Sequence, residues 1–220
     1  SVAGLAFFTA AVLQQWGLVT ATVTNTGFLT ALYVVATPFI VWIASGRAPG
    51  PLVWIAVGFS FVGTWLLGGG SLASFSGGDV LVALSAAFWA LHIVLVGGAG
   101  RLARPVAFTM LQFVTVALVG AMLAPVFETI SFERLAGAWV EIAYVGLLSS
   151  ALTFTMFSIA LRYTGATEAP IIVSTETLFA AFGAWWVLGE HLSPIGWIGA
   201  GSILCATLIV QLAPKSTVET

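Results

Sequence analysis

Two side chains that can hold a proton or a charged partner stand inside apolar runs of this chain, Glu176 and His92. Glu176 falls near the middle of an apolar stretch over 167–188, where an unpaired charge is most costly. An acid there suits a proton or the ammonium group of a solute; the plainer alternative is a neutral acid donating a hydrogen bond to a neighbouring helix. His92 shares one helical face with Ser85 and Trp89, at steps of four and three residues. It is a candidate proton relay or solute contact, and equally a packed hydrogen-bonder. A third polar group is a stripe: Thr26, Thr30, Tyr33 and Thr37 are spaced four, three and four apart. Together they form a hydroxyl-bearing wall, although any single Thr readily bonds back to its own helix instead. Gln15 and Ser158, with Thr155 on the face of Ser158, complete the candidate pathway: Gln15, Thr30, Tyr33, Thr37, Ser85, Trp89, His92, Thr155, Ser158 and Glu176. Glu176 and His92 are the two proton-coupling candidates.

These groups sit in sequence that excludes most other chemistry. The chain is 60% hydrophobic and only 6% charged, against about a quarter charged in soluble domains. A lipid bilayer is the solvent such a composition requires. The net charge of −2 and the lack of a basic patch exclude a nucleic-acid partner. Cys205 is the single cysteine, so neither an intramolecular disulfide nor a thiolate metal site can form. His191 lies in a connector and no carboxylate has ligand spacing to His92, which argues against a metal. The glycine clusters at 68–70 and 97–100 lack the Lys-Ser/Thr of a phosphate-cradling loop. No paired-His-with-Glu or Gly-flanked Ser arrangement marks an intramembrane enzyme. We therefore expect no enzyme, no cofactor and no metal.

Eight apolar segments are expected to cross the bilayer, near 1–19, 22–45, 51–69, 79–98, 105–125, 137–161, 167–188 and 194–212. Glycines and prolines punctuate the connectors, and Phe127 to Gly137 has room for a short interfacial turn. The segments are not independent. Slid by 143 residues, Gly17–Leu66 overlies Ala160–Ile209 without a gap and with ten identities, among them Trp42/Trp185, Gly46/Gly189, Pro51/Pro194 and Trp54/Trp197. In this register Tyr33 overlies Glu176, and Gln15 overlies Ser158.

The step from the first segment to the sixth is odd, so the two copies are inverted across the membrane, as in many duplicated carriers. Arg47, Arg101, Arg104, Arg162 and Lys215, five of the six cations, fall on one side, while Arg134 lies on the other with Asp79, Glu128, Glu133 and Glu190. By the positive-inside rule the cation-rich side, with the C-terminus, is cytoplasmic. The expected organisation is three helices of a first repeat in 1–69, a linker at 70–78, a complete five-helix repeat in 79–214 and a cytoplasmic tail at 215–220. The symmetry also leads us to expect two helices before Ser1, making these the last eight of ten. The glycine and alanine positions Gly58, Gly63, Gly196, Ala200 and Gly201 offer small faces for close helix contact in segments three and eight.

Several stretches resemble the EamA-type carriers of the drug/metabolite transporter superfamily. Gly17-Leu18, Thr24 through Val35 and Pro38 look like that family's third and fourth helices. Ala160 through Thr164, Leu178-Phe179-Ala180-Ala181 and Leu188-Gly189-Glu190 are similar to the matching stretch of its second repeat, and Phe88-Trp89-Ala90-Leu91 to its sixth helix. The resemblance implies an all-α polytopic membrane protein of inverted repeats and a bacterial-type inner-membrane location. It further implies export of small metabolites, foremost aromatic or neutral amino acids, by alternating access around a midplane cavity. Two departures stand out: Ser45-Gly46-Arg47 lacks the acidic residue often found there, and Thr177 replaces a Pro that commonly follows the Glu of helix nine. Other metabolite or multidrug carriage on the same fold is the alternative, and a non-transporting scaffold or channel subunit is the alternative of another class. The expected partners are a small-molecule substrate, the lipid bilayer and, as a candidate coupling ion, the proton.

Overall fold

A computed structural model describes residues 1–71, 76–99, 104–127, 129–189 and 191–212. Arg101, Glu128, Glu190 and Lys215, part of the 70–78 linker, and the tail from 213 onward lie outside the described residues. The described residues form helices α1 (Val2–Leu18), α2 (Val23–Thr30), α3 (Leu32–Ser45), α4 (Pro51–Leu67), α5 (Gly77–Ala99), α6 (Pro105–Phe127) and α7 (Phe132–Gly137). They continue with α8 (Trp139–Ala143), a π-helical stretch (Tyr144–Leu152), α9 (Thr153–Ala160), α10 (Ala169–Val173), α11 (Glu176–Leu188) and α12 (Pro194–Leu212). Among them there is no strand. Six helical stretches are long and apolar enough to cross a membrane: 25–45, 77–99, 105–127, 139–160, 169–187 and 194–212. α1 and α4 are apolar but shorter, at 17 residues each. The turn expected between Phe127 and Gly137 is the short α7, capped by the Ser131 hydroxyl accepting from the Arg134 N–H.

Two of the expected single helices are divided. The stretch over 22–45 is interrupted at Ala31, between α2 and α3, and the stretch over 167–188 at Ser174-Thr175, between α10 and α11. With the 143-residue offset, Ala31 overlies Ser174, so both interruptions fall at one repeat position. The second has a visible cause. Ser174 and Thr175 donate their hydroxyls to the carbonyls three residues back, on Ile171 and Ile172, and Thr177 does the same to Ser174. Such hydroxyl–carbonyl bonds compete with the backbone ladder and tighten or bend a helix. At the first interruption the Val34 N–H likewise turns to the carbonyl three residues back, Ala31.

The helix ends also correspond. Gly46 and Gly189 follow α3 and α11 with φ of 69° and 70°, the left-handed cap that glycine adopts without a Cβ penalty. Pro51 and Pro194 open α4 and α12, where a missing N–H costs nothing.

The tightest packing joins α4 to α12 and α1 to α5. Glycine allows both approaches. A Cβ on Gly63 would lie 2.8 Å from the Gly199 carbonyl oxygen, and one on Gly199 would lie 2.5 Å from both the Gly63 carbonyl oxygen and the Leu67 nitrogen. Gly17 and Gly78 meet backbone to backbone in the same way. Of the small positions expected in segments three and eight, Gly63 is at this contact, but Gly58 and Gly201 face open space and Gly199 takes their place. The core proper gathers Tyr33 and Val34 of α3, Ala56 of α4, Ala86 and Ala90 of α5, Ile171 of α10 and Ala206 of α12 around the two interruptions. By contrast, the helical stretch 139–160 is exposed along nearly all its length.

Candidate functional site

The interruptions border a cavity of about 210 Å³, lined by Gln14 of α1, Thr26, Gly27, Thr30, Ala31, Tyr33 and Val34 at the first break, Thr64 of α4, and Ser174, Glu176 and Thr177 at the second. Glu176 is the first residue of α11, so its position follows from the break itself. It lines the cavity yet remains an exposed residue, so the cavity is open on its side. Tyr33 is buried and lines the same cavity. The two residues that overlie one another in the repeat register thus face one cavity.

The hydroxyls around it are not equivalent. Thr26 donates to the Thr22 carbonyl at 2.8 Å, Thr64 to Ser60 at 2.9 Å, Ser174 to Ile171 at 2.6 Å and Thr177 to Ser174 at 2.7 Å. Their protons are committed to backbone, and what they turn to the cavity is lone pairs. Thr30 is different: its oxygen accepts from the Gln14 amide at 3.1 Å. Gln14 in turn accepts from the Trp89 indole N–H at 3.0 Å. A hydrogen-bonded path therefore crosses from α5 through α1 to α2. Sequence reasoning missed Gln14, Thr64 and Ser174. Gln14 was passed over for its neighbour, and its distance of 16 residues from Thr30 leaves no signal in helical spacing.

Of the expected pathway residues, the structure brings Thr30, Tyr33 and Glu176 to the cavity and ties Trp89 to it through Gln14. The others lie elsewhere. Gln15 is exposed on the outer side of α1, and Gln14, one position earlier, lines the cavity in its stead. Thr37 and Ser85 are buried and bond to backbone carbonyls of their own helices. Ser158 pairs with Thr109 of α6 at 3.0 Å, and Thr155 is half-buried on the same helix without lining the cavity. His92 is buried away from it, with Nε2 2.9 Å from the Gln112 side-chain oxygen. Around it packs an aromatic cluster in which Phe7 meets Trp89, His92 and Phe154 edge-on at centroid distances of 5.1, 5.4 and 4.8 Å. Such pairs favour the edge-to-face geometry and hold α1 against α5 and α9. Gln112 and Thr109, buried polar residues of α6, are the partners of His92 Nε2 and the Ser158 hydroxyl, while His92 Nδ1 is buried without a partner among the described residues.

Among the described residues the lining offers one carboxyl group, several lone pairs and a few neutral donors, with no cationic side chain. Chemically it can hold a small solute carrying an amine.

Comparison with known proteins agrees with a carrier. An uncharacterized transporter of Archaeoglobus fulgidus is 31% identical over 209 residues, covering 95% of this chain and 67% of the relative. The uncharacterized transporter YwfM of Bacillus subtilis is 25% identical over 217 residues, covering 95% of this chain and 69% of that protein. A solved crystal structure with 15% sequence identity superposes with a TM-score of 0.81 over 96% of this chain and 75% of its own, which fixes the shared fold. The sequence profile of the EamA-like transporter family matches residues 76–212. With that match and a relative of nearly a third identity, the chain belongs to the EamA-like transporter family.

Proposed function

We propose that this transporter is a secondary carrier of small amine-bearing metabolites, amino acids foremost, and that the cavity at the two helix interruptions is its solute site. One observation carries the reading: two helical spans, 25–45 and 169–187, tighten at the same repeat position and flank a cavity into which one of them delivers a carboxyl group. Broken helices facing each other at a repeat interface are how many duplicated carriers build a midplane site. The shared offset of the breaks, of the left-handed glycines and of the opening prolines supports an inverted repeat, with one half rocking against the other to alternate access. The cation distribution in the sequence supports a cytoplasmic C-terminal side in an inner membrane. Eight membrane-crossing helices follow if α1 and α4, though short, span with the rest.

The cavity holds about 210 Å³ and has room for several waters or a small solute. In this conformation it suits small neutral amino acids better than aromatic ones. The deciding experiment is counterflow. Purified protein in liposomes preloaded with unlabelled L-alanine should transiently accumulate labelled alanine above equilibrium, and saturably. Saturable counterflow separates a carrier from a channel or scaffold. Its absence for alanine, glycine, serine and threonine alike would remove the amino-acid assignment.

A further inference from the structure

We propose that Gln14 selects the acceptor end of the solute, and that Trp89 acts as a positioning residue by fixing the polarity of the Gln14 amide. The inference rests on the cavity being the solute site. An amide side chain is ordinarily free to present either its oxygen or its nitrogen. Here it is not free. The indole of Trp89 has only a hydrogen to give, so the atom 3.0 Å from it must be the Gln14 oxygen. The amide nitrogen is thereby turned toward α2, where one N–H goes to Thr30 at 3.1 Å. The second N–H has no protein partner among the described residues, and Gln14 is on the cavity wall.

This matters because the rest of the lining is rich in acceptors. The hydroxyl protons of Thr26, Thr64, Ser174 and Thr177 are spent on helix carbonyls, and Glu176 as carboxylate only accepts. A solute ammonium group therefore finds partners on several sides. A solute carboxylate finds only the Gln14 N–H and the hydroxyls of Tyr33 and Thr30, and no cation. Gln14 is the one donor among these that cannot rotate into an acceptor while Trp89 holds it. The wall thus distinguishes an amino acid from the amine lacking its carboxylate. Sites built to hydrogen-bond a substrate group discriminate strongly against analogues that lack it.

The test compares counterflow of labelled L-alanine with uptake of labelled ethylamine by the whole protein in liposomes. Gln14→Glu keeps an acceptor for Trp89 but removes the donor, and Gln14→Met keeps the length and removes both. Alanine flux should fall at least tenfold in each, while ethylamine flux falls no more than twofold. Trp89→Phe should raise the KM for alanine at least threefold, with the maximal rate within twofold and the KM for ethylamine unmoved. Size-exclusion profiles and melting temperatures verify that each variant is folded. Equal losses of both solutes in folded Gln14 variants, or no loss of alanine in Gln14→Met, would overturn the proposal. Failure of the underlying reading shows differently: wild type would then carry neither solute, or Glu176→Gln would leave both fluxes intact.

Discussion

Gly199→Ala should destabilise this protein, whereas Gly201→Ala, the same change two residues later on the same helix, should not. Both are helical glycines, and in open space alanine is the better helix former by about 0.5–1 kcal/mol. At Gly201 nothing lies within 4 Å of the added methyl, so that preference stands alone and the variant should be neutral or slightly more stable. At Gly199 the methyl would meet the Gly63 carbonyl oxygen and the Leu67 nitrogen at 2.5 Å each. Those atoms are backbone of α4 and cannot swing aside, so the helices must separate along the most extensive contact in the molecule. Overpacking of this kind costs about 1–3 kcal/mol. At about 2–4 °C per kcal/mol for a chain of this length, a drop of roughly 2–12 °C in Tm is expected in detergent. Gly63→Ala should behave like Gly199→Ala, since its methyl would meet the Gly199 carbonyl oxygen at 2.8 Å. Equal Tm values for Gly199→Ala and Gly201→Ala would show that α4 and α12 do not pack as described.

Glu176→Gln should abolish most transport while leaving the fold intact. Glu176 is exposed within the cavity, and glutamine has nearly its shape, so little packing is disturbed. What is lost is the carboxylate. A hydrogen bond to a charged group contributes about 1.5–3 kcal/mol, and each 1.4 kcal/mol is tenfold in affinity. Affinity for an amine-bearing solute should therefore fall roughly ten- to a hundredfold. Glu141→Gln is the control, because Glu141 is exposed on α8 and does not line the cavity. It should transport as wild type does. Saturation curves for both variants check the prediction, and an unchanged KM in Glu176→Gln would remove Glu176 from the site.

The apolar helical stretches were legible in the sequence because they are written in apolar length and in glycine and proline punctuation. Pro51 and Pro194 open their helices and Gly46 and Gly189 close theirs at the expected places. Rotation of each helix about its axis was much less legible. In a soluble protein an apolar stripe marks the buried face, but here the lipid-facing side is apolar as well. Gln15 and Gln14 differ by about 100° of rotation at 3.6 residues per turn, and polarity alone does not say which faces inward. The same ambiguity put Gly58 and Gly201 at a contact that belongs to Gly63 and Gly199. Partners on other helices were not legible either: Gln112 beside His92 and Thr109 beside Ser158 lie 20 and 49 residues away in sequence and leave no spacing signal. The interruption before Glu176 lacked its usual proline marker, since three hydroxyls bonding back to carbonyls make it instead.

The proposed solute path is the cavity between the two interruptions, with the outer helix faces toward lipid. Reactivity of single cysteines toward a charged, water-borne thiosulfonate reagent tests it without knowledge of the solute, because only a hydrated thiol ionises and reacts. The protein supplies its own lipid-facing control: Cys205 is exposed on α12 within an apolar run. The account predicts that wild type stays unmodified, as does Leu118→Cys on the exposed side of α6, while Thr30→Cys in a Cys205→Ala background reacts readily. Inertness of Thr30→Cys from both sides of the membrane, or reaction of Cys205 at the same rate, would contradict it.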